Sequence, residues 1–325
     1  MNKKKMMILF SATTALTLAA CGGNNSSSSS TSTEAGTAKT KYASEVTHEG
    51  TPIKGGTLKY AIVSSSPFSG IFADELSQVT TDSTIGGLID ESMFEYDENR
   101  KLTNTGLASI EFDVENKTAT VTLNSKEYKW SDGQPVTIDD YIFAYQAIGN
   151  KDYTGIRYTD DNEKIIGMKE YHEGKASTIS GIKKIDNNTV EISFNEIGQG
   201  IYTLGNGLIG YALPKHYLKD VAIKDLETSE KSRNKVLTTG PYTVEKVIQG
   251  ESLELKANPY FYKGKAKTEK VTVEVVNSQT IVSALKAGKY DIAYQIPTDL
   301  YKTFKDLDNL QVLGRQELYY SYMGF

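Results

Sequence analysis

Lys129-Trp130-Ser131-Asp132-Gly133-Gln134-Pro135-Val136-Thr137-Ile138-Asp139-Asp140 holds two local instructions one after the other. The first is a turn. Ser131 and Asp132 can bond nearby backbone, and Gly133 tolerates a positive φ. Trp130 is read as the anchor that holds this turn in a core, and so as scaffold rather than as a ligand contact. The second instruction is a helix start. Thr137 stands where an N-cap is needed, and Asp139 and Asp140 fall in the first turn, where the helix dipole favours negative charge. The helix then carries Tyr141, Ile142, Tyr145 and Ile148 at three- and four-residue spacing, which makes one apolar face.

Working outward, the pattern changes from helical to alternating on both sides. Leu58, Tyr60 and Ile62 alternate with Lys59 and Ala61, and Thr118 to Leu123 places Val121 and Leu123 on one face. Further strands are expected at Thr189–Phe194, Tyr242–Val247, Ser252–Lys256, Lys270–Val276 and Asp291–Ala293. Ser278 is expected to cap a helix with Ile281, Val282 and Leu285 inward, and Gly288 is well placed to end it. Gly240-Pro241 reads as a sharp bend leading into a strand. Helices and strands are mixed along the whole length, which predicts an α/β fold with a mixed sheet. No internal repeat is visible.

Catalytic patterns are absent or fail on context. His48, His172 and His216 are far apart and none has metal-ligand spacing. There is no Gly-x-Ser-x-Gly elbow and no P-loop. Gly205-Asn206-Gly207-Leu208-Ile209-Gly210 matches G-x-G-x-x-G, but that pattern needs a helix opening at its end to meet a pyrophosphate. Pro214 would break such a helix, so a tight turn is the reading. Asp160-Asp161-Asn162-Glu163 lacks the glycine and spacing of a calcium loop and is expected to be solvated. No carboxylate pair stands out. The sequence predicts no catalytic residue, no metal site and no cofactor.

The N-terminus carries an export pattern. Lys3, Lys4 and Lys5 precede an uncharged apolar run, Met6 to Ala20, shorter than the ~20 residues a spanning helix needs. That is read as a signal peptide, residues 1–20. Leu18-Ala19-Ala20-Cys21 resembles a bacterial lipobox, in which the thiol receives a diacylglyceryl group. Lipidation at Cys21 would anchor the chain by acyl chains of the palmitate type, each buried methylene adding about 0.8 kcal/mol. Cys21 is the only cysteine, so no disulfide framework is possible. The Gly-, Ser- and Thr-rich tract that follows is expected to be a flexible linker over residues 21–50. About 25 residues of that kind span roughly 25–30 Å, enough to hold a domain clear of lipid.

With 24% charged and 10% aromatic residues the chain is globular in character. Its net charge is −5, and loss of the three leader lysines makes it about −8. That argues against nucleic acid as a partner, because phosphates demand a basic face. It also leaves membrane attachment to lipid rather than to charge. The 21 tyrosines combine a flat apolar body with a hydroxyl, which suits recognition surfaces, although most are expected to be strand and surface residues.

The Trp130 block also closely resembles the signature of the peptide-binding lipoproteins of ABC importers. Four further blocks resemble family markers in the same order: Gly55-Gly56-Thr57-Leu58, Thr239-Gly240-Pro241-Tyr242, Ala257-Asn258-Pro259-Tyr260-Phe261-Tyr262, and Ala284 to Ile292. Ser180-Gly181-Ile182 and Tyr217-Leu218-Lys219-Asp220 resemble the oligopeptide-binding proteins of streptococci and lactococci. The chain is thereby identified as similar to solute-binding protein family 5, cluster C.

The resemblance implies a type II periplasmic-binding-protein-like α/β fold with mixed sheets, as the first lobe of a two-lobed clamp. Residues 51–325 would form that lobe, with 51–90 and 235–325 as its core and 91–234 as an inserted subdomain. Family members carry a second lobe beyond this point, and it is expected to be absent from these 325 residues. Partners would be oligopeptides, held extended by backbone pairing, and the permease subunits of the importer. The location would be the extracytoplasmic face of the cell membrane. Cleft residues carried over are Tyr294 and Gln295, just after the Asp291-Ile292 strand, and an earlier segment, Ser77, Gln78, Val79 and Thr80. Gln295 offers a donor and an acceptor to a peptide unit. The alternative is a truncated surface lipoprotein with an interaction or peptide-signalling role and no transport of its own.

Overall fold

Every strand expected from alternation forms, within a residue or two at the ends. The computed structural model describes residues 43, 46, 55–97, 99–305 and 307–314. All of these except Gly314 belong to one compact unit, Ala43–Leu313. The leader, Cys21 and Tyr319–Phe325 lie outside the described residues. In chain order the elements begin with β1 (Thr57–Val63), α1 (Thr80–Ile89), β2 (Glu95–Tyr96), β3 (Leu102–Thr103), β4 (Ala108–Asp113) and β5 (Thr118–Leu123). Then come α2 (Ile138–Ile148), α3 (Met168–His172), β6 (Ile182–Lys184), β7 (Thr189–Ser193), α4 (Gln199–Leu204) and α5 (Lys215–Leu218). Last are β8 (Tyr242–Ile248), β9 (Ser252–Ala257), β10 (Lys270–Val276), α6 (Ser278–Lys286), β11 (Ile292–Tyr294) and α7 (Tyr301–Phe304).

The fold class is the expected mixed α/β. A five-stranded sheet has the order β11-β1-β10-β9-β8, and a four-stranded sheet has the order β4-β5-β7-β6. β1 runs parallel to both β10 and β11, while β9 is antiparallel to β10 and β8. The four-stranded sheet is antiparallel throughout. β1 departs from simple alternation at its end, where Ala61, Ile62 and Val63 are all buried. Ile62 faces the main core, whereas Ala61 and Val63 pack with Ile281, Leu285, Tyr290 and Phe304 on the other face. Parallel strands covered on both sides lose the polar face.

Local capping explains the helices. α2 starts at Thr137, whose backbone N–H donates to the Asp140 carboxylate at 2.8 Å. Tyr141, Tyr145 and Ile148 lie on its buried face, as their spacing predicts, with Ala144 between them. Trp130 is 1% exposed, which agrees with its reading as a core anchor. α6 is capped by Asn277, not Ser278: the Asn277 side chain accepts from Thr280 N at 2.9 Å. An Asn carbonyl reaches the third N–H of the helix, which corrects the expectation by one residue. Gly288 follows that helix with a φ of +66°, which favours glycine.

Two loops bear on function. α4 ends at Gly205, with a φ of +71°, and no helix opens at Gly210. The next one, α5, begins only after Pro214. The glycine pattern is a turn, as expected. Asp160–Glu163 is less solvated than predicted. Asn162 is 4% exposed, with its Oδ1 accepting from Thr159 N and its Nδ2 donating to Gly207 O. An Asn can satisfy four bonds in a turn, and that is why it is pulled inward here. Among the described residues, no helix is long and apolar enough to cross a membrane.

Candidate functional site

β1 and β11 are parallel, so their carboxyl ends emerge on the same side of the sheet. Open α/β sheets bind ligands in crevices outside such ends. Tyr294 pairs with Ile62, near the end of β1. Just beyond, Ser64 Oγ lies 3.3 Å from Thr81 Oγ in the first turn of α1. The Thr81 hydroxyl also donates to Ser66 O at 3.1 Å. These contacts bring Ser77–Thr80, which leads into α1, to the same sheet end as Tyr294 and Gln295.

The individual placements differ. The Tyr294 ring lies 6.4 Å from the Tyr60 ring, tilted by 33°. Gln295 is exposed and has a φ of +61°. The other non-glycine residues with positive φ among those described, Arg100 and Lys117, sit in the tight links β2–β3 and β4–β5. Gln295 follows an edge strand instead, and a left-handed non-glycine residue there costs about 1 kcal/mol or more. Ser77 is fully buried and its hydroxyl donates to Val79 O, so Gln78, Val79 and Thr80 supply the accessible surface of that segment. Gln78 Nε2 donates to Glu227 Oε2 at 2.9 Å. β11 forms one edge of its sheet among the described residues. Cys21 lies outside the described residues.

The structure also shows a carboxylate cluster that sequence reading missed. Asp74–Leu76 forms a short 3-10 turn just before Ser77. Glu75 is 6% exposed, and its Oε1 accepts from the backbone N–H groups of Gly210 and Tyr211, both at 2.7 Å. Burial, with the adjacent Asp74 charge, pushes Glu75 up to about 7. Burial also raises Asp74, against the pull of Arg157, whose Nη2 is 3.9 Å from Asp74 Oδ2. These groups line a cavity of about 240 Å³ together with Thr159, Asn162 and Tyr211. Asp82, 1% exposed, accepts from Ser69 N at 2.8 Å and Gly70 N at 3.2 Å and pins the loop after β1. Glu75 and Gly210 are 135 residues apart in sequence, and no local pattern announces such a pairing.

A protein-family profile, that of the bacterial extracellular solute-binding proteins, family 5 (middle), matches residues 104–325. The chain belongs to this family. Family members are extracellular solute-binding proteins. The oligopeptide-binding protein OppA of Lactococcus lactis subsp. lactis is 40% identical over 268 residues, which are 81% of this chain and 44% of OppA. The oligopeptide-binding protein AppA of Bacillus subtilis is 30% identical over 62% of this chain and 34% of AppA. Among solved structures, lactococcal OppA complexed with an endogenous peptide in the closed conformation superposes with a TM-score of 0.73. That match has 41% identity and covers 78% of this chain and 48% of that one. AppA bound to a nonapeptide shares the fold at a TM-score of 0.63 and 24% identity, over 79% of this chain and 47% of AppA. The chain thus spans about half the length of the relatives it matches.

Proposed function

We propose that this chain is the lipid-anchored, extracytoplasmic oligopeptide-binding subunit of an ABC peptide importer, or the part of one that carries its first wall. The observation that carries this reading is the likeness to lactococcal OppA with a peptide bound, at 41% identity and a TM-score of 0.73. The convergence of Tyr294–Gln295 and Ser77–Thr80 at the carboxyl ends of β1 and β11 supports it. A peptide lies extended along this edge and exchanges backbone hydrogen bonds in strand fashion. Tyr294 lays its ring along the ligand, and the Gln295 amide meets a peptide unit with both a donor and an acceptor. Gln78, Val79 and Thr80 form the opposite bank, and buried Ser77 shapes the turn beneath them. Reading main chain rather than side chain makes the site tolerant of peptide sequence. Residues 51–90 and 235–325 serve as the core lobe and 91–234 as an inserted subdomain. A diacylglyceryl group on Cys21, with residues 21–50 as tether, holds the unit at the membrane for delivery to the permease.

Two measurements test this. Calorimetric titration of the purified chain with short peptides of several unrelated sequences is expected to give heats of similar size, and titration with monosaccharides or nickel none. A tight sugar or nickel site with no peptide heat overturns the peptide reading. Cys21→Ser is expected to leave the leader uncut or release the protein into the medium. Normal processing with full membrane retention overturns the anchor.

A further inference from the structure

The turn from Gly205 to Gly210 contains an Asn-Gly step that no contact protects. Asn206-Gly207 is the one Asn-Gly pair in the 325 residues. It follows the end of α4, and Asn206 stands between two left-handed glycines, Gly205 at a φ of +71° and Gly207 at +77°. Asn206 is exposed, and its carboxamide bonds to none of the described residues. The Gly207 N–H donates to none of them either, although its neighbours are engaged. Gly205 N donates to Ile201 O at 2.8 Å, Asn206 N to Gly200 O at 3.1 Å and Leu208 N to Gly205 O at 2.9 Å. Glycine is also fixed at position 207. A Cβ there would lie 2.6 Å from Asp161 O, so no side chain can stand beside this nitrogen and screen it.

The single Asp-Gly pair, Asp132-Gly133, is the internal comparison. Gly133 N donates to Trp130 O at 2.8 Å, and Asp132 Oδ1 accepts from Gln134 N at 3.0 Å. Asp132 Oδ2 lies 2.9 Å from His216 Nε2. The nitrogen and the carboxyl carbon that would have to meet are each held by other partners. Ring closure there must break those bonds, whereas at Asn206 no such bond stands in the way.

We propose that Asn206 is a site of spontaneous covalent modification, in which Gly207 N attacks the Asn206 carboxamide and water is the co-reactant. Gly207 N loses its proton to solvent base and bonds to Asn206 Cγ. The Cγ–Nδ2 bond breaks, and Nδ2 takes a proton from solvent and leaves as ammonia. The cyclic imide that remains is opened by water. Opening at Cγ gives aspartate, and opening at the main-chain carbonyl gives isoaspartate, whose backbone runs through the side-chain methylene. The sum is one water consumed and one ammonia released, with nothing oxidised or reduced. The consequence is local strain. Isoaspartate lengthens the backbone beside a segment pinned at closely spaced points. Gly207 O accepts from Asn162 Nδ2 at 3.1 Å, Ile209 N donates to the Tyr145 hydroxyl at 3.2 Å, and Gly210 N donates to Glu75 Oε1 at 2.7 Å. The inference does not rest on the peptide reading.

The test is ageing of the full 325-residue chain in mildly alkaline buffer made with heavy-oxygen water. Peptide mapping by mass spectrometry follows, with fragmentation that tells isoaspartate from aspartate. Asn206 is expected to become a mixture of the two, labelled with heavy oxygen, at least about tenfold faster than any other described asparagine is converted. Mildly acidic buffer is expected to slow the reaction, because the nitrogen must lose its proton. Unfolding in denaturant is expected to speed isomerisation of Asp132 about tenfold or more and to change Asn206 only several-fold, since only Asp132 has folded-state bonds to lose. In the aged sample the denaturant midpoint should fall as isoaspartate accumulates. Asn206→Gln, whose longer side chain closes the ring poorly, should keep both its amide and its midpoint. Aspartate alone at position 206, conversion no faster than at other asparagines, or conversion only after unfolding overturns the site. A midpoint that falls equally in Asn206→Gln overturns the strain.

Discussion

Asp140 and Glu75 are two nearly sealed carboxylates, 3% and 6% exposed, treated in opposite ways. Asp140 is spent on structure. Its Oδ2 accepts from Thr137 N at 2.8 Å, Thr137 Oγ at 3.2 Å and Trp130 Nε1 at 3.3 Å, and its Oδ1 accepts from Lys215 N at 2.8 Å. One side chain thus joins the turn, the start of α2 and the start of α5. Glu75 has one oxygen bonded by two backbone N–H groups, and its side chain is among those lining a cavity. The difference is in how burial is offset: four donors from three segments hold both oxygens of Asp140, whereas two backbone donors hold one oxygen of Glu75.

Removing the two groups should sharpen the contrast. Asp140→Ala leaves three backbone or indole donors without a partner, and unsatisfied buried donors cost about 1–3 kcal/mol each. A loss of about 3 kcal/mol or more in denaturant unfolding is expected. Glu75→Gln keeps its two backbone bonds and discards a desolvated charge, so at about pH 8 it should change stability by less than about 1 kcal/mol in either direction. Equal losses in the two variants would break the distinction.

A smaller effect should appear against pH. Glu75 is raised from 4.5 to about 7 in the folded chain. Between those values the folded state holds a proton that the unfolded state releases. The contribution of Glu75 is therefore full below 4.5, falls as pH rises through this window, and levels off above 7. Asp90, lifted to about 7 by desolvation, adds to the same slope. Unfolding followed by denaturant at several pH values should show the decline, and Glu75→Gln should make it shallower without abolishing it. A slope that grows steeper in Glu75→Gln would mean that Glu75 is stabilised as an ion.

The smallest effect on stability is expected at Gln295. Gln295→Gly should be neutral or stabilise the fold by up to about 1 kcal/mol, because glycine adopts a φ of +61° without strain. Peptide affinity should fall with it, since the amide is lost. Tyr294→Ala should weaken peptide binding by about 1–2 kcal/mol, read by the same titration. A gain in stability at position 295 with unchanged peptide affinity would remove Gln295 from the site and leave its backbone unexplained.

What the sequence determined by itself was whatever depends on neighbours a few residues away. Thr137 and Asp140 meet across one helical turn, and Tyr141, Tyr145 and Ile148 share a face by period. The strands at 118–123, 252–257 and 270–276 follow from alternation or from β-branched runs. The Trp130 turn was readable for the same reason. Short-range patterns also failed by short distances, as when Asn277 rather than Ser278 took the cap of α6. The tertiary structure alone decided which carboxylates went inside. Asp74 and Glu75 look like any acidic pair in sequence, and their partners Arg157, Gly210 and Tyr211 lie between 83 and 136 residues further along. It also decided that Ser77 would be sealed, and that Gln295 would stand in the left-handed region at the end of an edge strand. Burial and long-range pairing are properties of how distant segments enclose a volume. No window of sequence contains both the charge and the walls that desolvate it.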